Sequence, residues 1–326
     1  MMTLIYLLIP VVGDLISEPA ARVVSFYGYD DCIRLSNRST RVTLCPAAGG
    51  RVLEYALNEK NALYLPPGNE GWTYEPGKKG GGMAAGRFDI GPEMIIRPRP
   101  LLWKGKWKGE VTGKLSARLT SQKSESTGVQ LVRYFTLSPN STRLECRQTI
   151  VNVSKKPVEY CHWSRTFALG GGVVIIPLSE PRRFPNGYVM YGGHASILYR
   201  PKDPNIRIRD GFLEILGTPT YPKLGMDSHA GWFAYLMKND QMFVKRFPTY
   251  PGRAYNEVAG LTISIWIPKE EYTCELEPIG PREHIKPGES ASFTETWWLL
   301  PRPFPKDVQD IDLEAIESLV RKEAPK

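Results

Sequence analysis

The stretch TRLECRQTIVNVS, residues 142–154, alternates from end to end. Leu144, Cys146, Gln148 and Ile150 fall on one side of an extended chain, and Glu145, Arg147, Thr149 and Val151 on the other. A period of two is the repeat of a β-strand; an amphipathic helix needs 3.6. The same signature recurs in both directions. Upstream lie RVTLCPAAGGRVLEYAL (41–57), KLSARLTSQKS (114–124) and VQLVRYFTL (129–137). Downstream lie VEYCHWSRTFAL (158–169), IRIRDGFLEIL (206–216), GWFAYLMKN (231–239), QMFVKRF (241–247), LTISIWIP (261–268), YTCELEPIG (272–280) and ASFTETWWLLP (291–301). The 30 glycines and 28 prolines punctuate these runs and favour turns over long helices. The pattern predicts a large all-β antiparallel β-sandwich over residues 22–305 as a single domain. No fixed-period repeat marks a propeller or solenoid.

One helix is predicted, within residues 306–326. Leu313, Ile316 and Val320 make an apolar stripe, with Asp310 or Asp312 as its cap, and it is expected to pack on the domain over a sheet edge. At the other end, residues 1–21 read either as a signal peptide or as a first strand. Leu4–Val12 is too short to span a bilayer and right for a signal-peptide core, yet no Lys or Arg precedes Arg22. The first reading implies a periplasmic or secreted protein, the second a cytoplasmic one.

The formal net charge of +8 is compatible with nucleic acid, an anionic surface or an acidic substrate. The densest basic segment is RPRPLLWKGKWKG (97–109), which interleaves five basic residues with Trp103 and Trp107. It reads as a solvated edge hairpin or as the lining of a groove for an anionic sugar; no nucleic-acid or membrane partner is expected. Five cysteines without a CxxC spacing read as buried thiols, with Cys32–Cys45 the one pair suited to a bridge in an exported protein. His162, His194, His229 and His284 are scattered, so no metal site is expected. Phosphate-loop, dinucleotide, zinc-protease and serine-hydrolase signatures are absent.

Several short elements then fall into a familiar order. Gly49-Gly50 is followed by Asn61-Ala62-Leu63. GRFDIGPE (86–93) comes next, then Asn152, Ser154 and Pro157 ahead of His162, Trp163 and Phe167. Glu277-Pro278 and Pro287-Gly288-Glu289 close the series. In this order they resemble the galactose mutarotase (aldose 1-epimerase)-like superfamily, closest to an uncharacterised bacterial branch. The resemblance implies a sugar or oligosaccharide partner and acid–base chemistry at the anomeric centre with no cofactor. By motif position it implies Glu277 as base and His162 as acid, with Arg87 as the sugar-binding arginine. The upstream histidine of the family is missing, because the corresponding region reads GGGMAAGRFDIGPE.

Reading the residues adds Glu275, two positions before Glu277 on the same strand face, and Asp89 and Glu93 in a glycine-flanked loop. The carboxylates of that loop are expected either to line the site or to pair with the arginines of RPRP. Arg87, Arg165 and Lys245 are candidates to neutralise an anionic substrate. Arg165 is three residues from His162, so a regular strand points it to the opposite face. Three functions stay open: an epimerase or mutarotase-like isomerase, a lyase acting on an anionic glycan, and a non-catalytic carbohydrate-binding sandwich. Oligomeric state is not legible.

Overall fold

A computed structural model describes residues 19–80, 84–193 and 196–325. Among these residues the strands form two antiparallel sheets of 13 and 10 strands, numbered here in chain order. The first sheet runs β1 (Ala20–Phe26), β2 (Tyr29–Ser36), β3 (Thr40–Cys45), β4 (Arg51–Leu57), β6 (Gly86–Gly91), β11 (Val158–Leu169), β21 (Thr273–Pro278), β20 (Ile263–Trp266), β17 (Lys223–Met226), β13 (Val189–Tyr191), β14 (Ile197–Leu198). The short β5 (Lys60–Asn61) adds to β4, and β22 (Glu283–Ile285) adds to β11. The second sheet runs β15 (Ile206–Arg209), β16 (Phe212–Ile215), β12 (Val173–Pro177), β18 (Trp232–Met237), β19 (Gln241–Arg246), β23 (Ser290–Pro301), β10 (Leu144–Asn152), β9 (Val129–Leu137), β8 (Ser116–Thr120), β7 (Lys108–Gly113).

The opening stretch is β10, a central strand between β9 and β23. Its Leu144, Cys146, Gln148 and Ile150 are all buried, as the alternation predicts, and the three apolar ones join the core between the sheets. The turn into β4 is made by Gly49 and Gly50 at φ +69° and +60°. A Cβ on Gly50 would stand 2.5 Å from the Trp107 ring, so close approach as well as backbone sign selects glycine there.

The core contains one fully enclosed ion pair. Lys245 of β19 reaches Glu295 of β23 at 3.1 Å, and both are wholly buried. Lys245 Nζ also donates to Ser164 Oγ, Thr166 Oγ1 and the Leu276 carbonyl, at 3.1, 2.8 and 3.2 Å. Glu295 accepts from Gln148 Nε2 and Trp297 Nε1 at 2.7 and 2.9 Å. The pair thus ties the second sheet to β11 and β21 of the first. Lys245 is therefore not a substrate ligand as expected from the sequence. Alternation along β19 puts it on the same side as the core residue Phe243, facing inward.

The C-terminal helix α2 (Leu313–Glu323) is capped by Asp312, whose carboxylate accepts from the Ala315 amide at 2.9 Å. It lies across the outer face of the second sheet, not over an edge. Leu313, Ile316 and Val320 pack with Val173, Ala234, Val244 and Trp298. This accounts for both indoles of the WW pair: Trp297 fills the inter-sheet core and Trp298 sits with the helix. β1 begins at Ala20, and the apolar run Leu4–Val12, on which the two readings of the N-terminal segment turn, lies outside the described residues. All five cysteines are free and buried. No helix among the described residues is long and apolar enough to cross a membrane.

Candidate functional site

Strands β6, β11, β21, β20 and β17 lie side by side in the first sheet. Alternation divides the side chains of β11 into two sets. Ser164 and Thr166 meet Lys245 in the inter-sheet core, and His162 shares their parity. Trp163, Arg165 and Phe167 therefore face the other way, onto the open face of the first sheet. Arg87 and Asp89 of β6, Glu275 and Glu277 of β21, and Lys223 of β17 meet them there.

Arg165 is the hub of this face. Its Nε and Nη2 grip Glu275 at 2.7 and 3.2 Å, and its Nη1 lies 3.4 Å from Glu93. Burial disfavours its charge, but the Glu275 carboxylate it grips overrides that and holds it firmly protonated. Directly across the β6–β11 ladder stands a second arginine, Arg87. Like charges opposite one another destabilise a sheet. Here Arg87 is stacked on Trp103 at 4.3 Å, with Phe167 5.7 Å away. It is 1% exposed and its Nε and Nη1 have no hydrogen-bond partner among the described residues. Burial, reinforced by Arg165, pulls its pKa down to about 9.

Asp89 is taken up by Arg99, which donates to both carboxylate oxygens at 2.7 and 2.8 Å. Burial opposes ionisation of Asp89, and Arg99 overcomes it. This is the RPRP pairing anticipated as one of two readings. Only the end of that segment belongs to the expected edge hairpin: Lys108 and Gly109 open the edge strand β7, which pairs with β8. Pro100–Trp103 forms a single helical turn, α1, that supplies Trp103 to the site, and Trp107 enters the core.

Glu277 differs from every other carboxylate on this face. It is completely buried, and neither of its oxygens has a hydrogen-bond partner among the described residues. Arg165 Nε, committed to Glu275, stands 3.7 Å away. Burial, followed by repulsion from Glu275, raises the Glu277 pKa to about 8. Both effects favour the protonated form of this carboxyl. Lys223 approaches the same cluster over the faces of Trp163 and Tyr191, at 4.6 and 5.0 Å, and binds Glu93 at 2.5 Å.

His162 does not join Glu277. Its ring is stacked between Phe88 and Phe293, both with centroids 5.8 Å away, and Nε2 lies 3.0 Å from the Ala291 carbonyl. Burial lowers its pKa to about 4, so the ring is neutral and donates Nε2–H to that carbonyl. The reason is strand parity: His162 and Arg165 are on opposite faces, and the open face is the one Arg165 takes. His162→Ala should cost about 2–4 kcal/mol of unfolding free energy in urea titration, by opening a cavity between two phenyl rings. Turnover per folded molecule should hold within about two-fold, since no reacting group is touched.

The structure thus brings Arg87, Asp89, Glu93, Arg165, Glu275 and Glu277 together and leaves out His162 and Lys245. Sequence reasoning missed Lys223, Tyr191 and Glu257. Glu257 lies beside the cluster and accepts from the Glu93 amide at 2.8 Å; burial raises its pKa. Among the described residues no group of His, Cys, Asp and Glu is arranged to hold a metal ion.

No protein-family model matches the chain, and no curated protein matches it by sequence. Solved structures do match. The Slr1438 protein from Synechocystis sp. PCC 6803 superposes with a TM-score of 0.59 at 14% identity, over 86% of this chain and 99% of that one. A galactose mutarotase-like protein from Lactobacillus casei ATCC 334 gives 0.57 at 10% identity, over 82% and 100%. Another galactose mutarotase-like protein, from Clostridium acetobutylicum, gives 0.53 at 12% identity, over 87% and 99%. The chain has the galactose mutarotase-like β-sandwich fold.

Proposed function

We propose that the chain is a cofactor-independent sugar isomerase of the mutarotase or epimerase kind, with Glu277 carrying the acid–base step. The fold, shared with proteins described as galactose mutarotase-like, favours a sugar. The observation that carries the chemistry is the Glu277 carboxyl, wholly buried and without a hydrogen-bond partner among the described residues, an environment that favours its protonated form.

A neutral carboxyl has an acceptor oxygen and a donor hydroxyl side by side. Placed against an aldose, its carbonyl oxygen takes the proton of the anomeric hydroxyl while its O–H gives a proton to the ring oxygen. The C1–O5 bond breaks, the C1=O1 double bond forms, and Glu277 is left as the same acid with its oxygens exchanged. Rotation about C1–C2 and the reverse step deliver the other anomer. One residue does the work divided between base and histidine in the expectation drawn from the sequence. Arg165 and Lys223 offset negative charge developing on the sugar oxygens, and the free N–H groups of Arg87 are donors to a sugar hydroxyl.

The test is saturation-transfer NMR at the anomeric proton across a panel of aldoses, from pH about 6 to about 9.5. The active form is the protonated one, so exchange should be flat below about 8 and fall about ten-fold per pH unit above it. Absence of catalysed exchange for every aldose, or a rate that rises through pH 8, contradicts the assignment. The cations Arg87, Arg165 and Lys223 around a carboxyl favour one second reading, a lyase that neutralises a uronate carboxylate and abstracts its C5 proton. That reaction needs Glu277 ionised, so its rate would rise through about pH 8 with the ultraviolet absorbance of an unsaturated product.

A further inference from the structure

The segment 92–99, between β6 and the α1 turn, crosses the open face as a strap. It is fastened at one end by the Glu93 amide on Glu257 and at the other by Arg99 on Asp89. Between these points Met94 and Ile95 are 54% and 80% exposed, an apolar pair with nothing packed on it. From the first anchor the Glu93 side chain turns inward. One carboxylate oxygen lies 3.4 Å from Arg165 Nη1 and the other 2.5 Å from Lys223 Nζ. With that carboxylate seated, Glu277 behind it is sealed from solvent, and Arg165 is only 9% exposed. No sugar can reach Glu277 until Glu93 leaves.

We infer that Glu93 is a built-in stand-in for a carboxylate on the substrate, and that the sugar acted on is a uronate. The inference rests on the reading of this face as the sugar site. The charges of the cluster support it. Arg165 and Lys223 share the Glu93 carboxylate between them, with Glu275 on the other nitrogens of Arg165. Lifting Glu93 away takes from Lys223 the carboxylate it is bonded to and from Arg165 one of its partners, and buried cations without anions are costly. A neutral sugar cannot restore the balance; a uronate carboxylate restores it at the place Glu93 vacates. The two oxygens of Glu93, one on a guanidinium and one on an ammonium, are the spacing a planar carboxylate offers.

The probes are D-galacturonate, D-galactose and D-galactose 6-phosphate, titrated by calorimetry into the full chain and into Glu93→Gln. Galacturonate should bind at least about ten-fold more tightly than galactose. Glu93→Gln should strengthen galacturonate binding by roughly five-fold or more beyond any change it makes to galactose binding, because the internal competitor for the two cations is gone. Equal affinity for galacturonate and galactose overturns the inference, as does a Glu93→Gln effect that is the same for both. Tighter binding of the 6-phosphate than of the uronate overturns the carboxylate assignment. Catalysed galactose exchange without uronate preference would sink this inference alone. Uronate binding that responds to Glu93→Gln, without anomer exchange, would sink the isomerase reading alone.

Discussion

Glu277→Gln is expected to remove catalysed anomer exchange by about a thousand-fold or more, and to make the fold more stable at alkaline pH. Both effects have one source. A glutamine keeps the shape of the carboxyl but cannot pass a proton in one direction while accepting one in the other. The stability effect follows from the proton that native Glu277 holds. Its pKa is raised from 4.5 to about 8 by burial and by Glu275. A carboxyl raised in the folded state contributes stability that is fully present below the unfolded pKa. That stability is lost as pH climbs from about 4.5 through about 8. A shift of this size corresponds to roughly 2–5 kcal/mol between the limits. The amide has no such dependence. Urea unfolding at pH about 5 and about 9 should therefore move in favour of Glu277→Gln by that amount at the higher pH. Parallel behaviour of the two proteins would mean that Glu277 is ionised in the fold.

Glu295→Ala is expected to lower stability by about 3–5 kcal/mol, more than any surface change. It strips Lys245 of its only carboxylate partner among the described residues while leaving the ammonium fully enclosed. It also releases Gln148 and Trp297 from their acceptor. Replacing both partners with apolar residues, Lys245→Met with Glu295→Leu, should recover most of the loss, because the cost lies in the unpaired charge. The site should respond as well. Lys245 holds Thr166 and Leu276 from behind, one residue from Arg165 and one from Glu277. A double variant that regains stability but binds sugar more weakly would reveal the ion pair as a positioning device. Equal stability of the single and double variants would show that the pair contributes through packing alone.

The fold was legible because its strands are two-faced: β9 keeps a strict period of two, β10 departs from it only at the buried Thr149, and turn glycines such as Gly49 and Gly50 mark where the chain reverses. The site was legible only in part, for a reason that β11 makes plain. From Cys161 to Ala168 every residue of β11 is buried. Polarity therefore does not distinguish its two faces. Parity alone separates His162 from Arg165, but it does not say which of them faces the candidate site. The same ambiguity placed Lys245 in the site when it belongs to the core. Glu275 and Glu277 were found because they share one face of one strand and carry the motif before Pro278. Lys223 gave no signal, because it comes from the four-residue β17 and reaches the cluster only through the sheet order β11, β21, β20, β17.

The claim on which the account turns is that Glu277 is a neutral acid at physiological pH. Carbon-13 NMR of the side-chain carboxyls in glutamate-labelled protein measures this directly, with the Glu277 resonance identified by its loss in Glu277→Gln. The account predicts a single resonance that stays protonated through neutrality and titrates near pH 8. Titration at the ordinary glutamate value of 4.5, or below it, would contradict it.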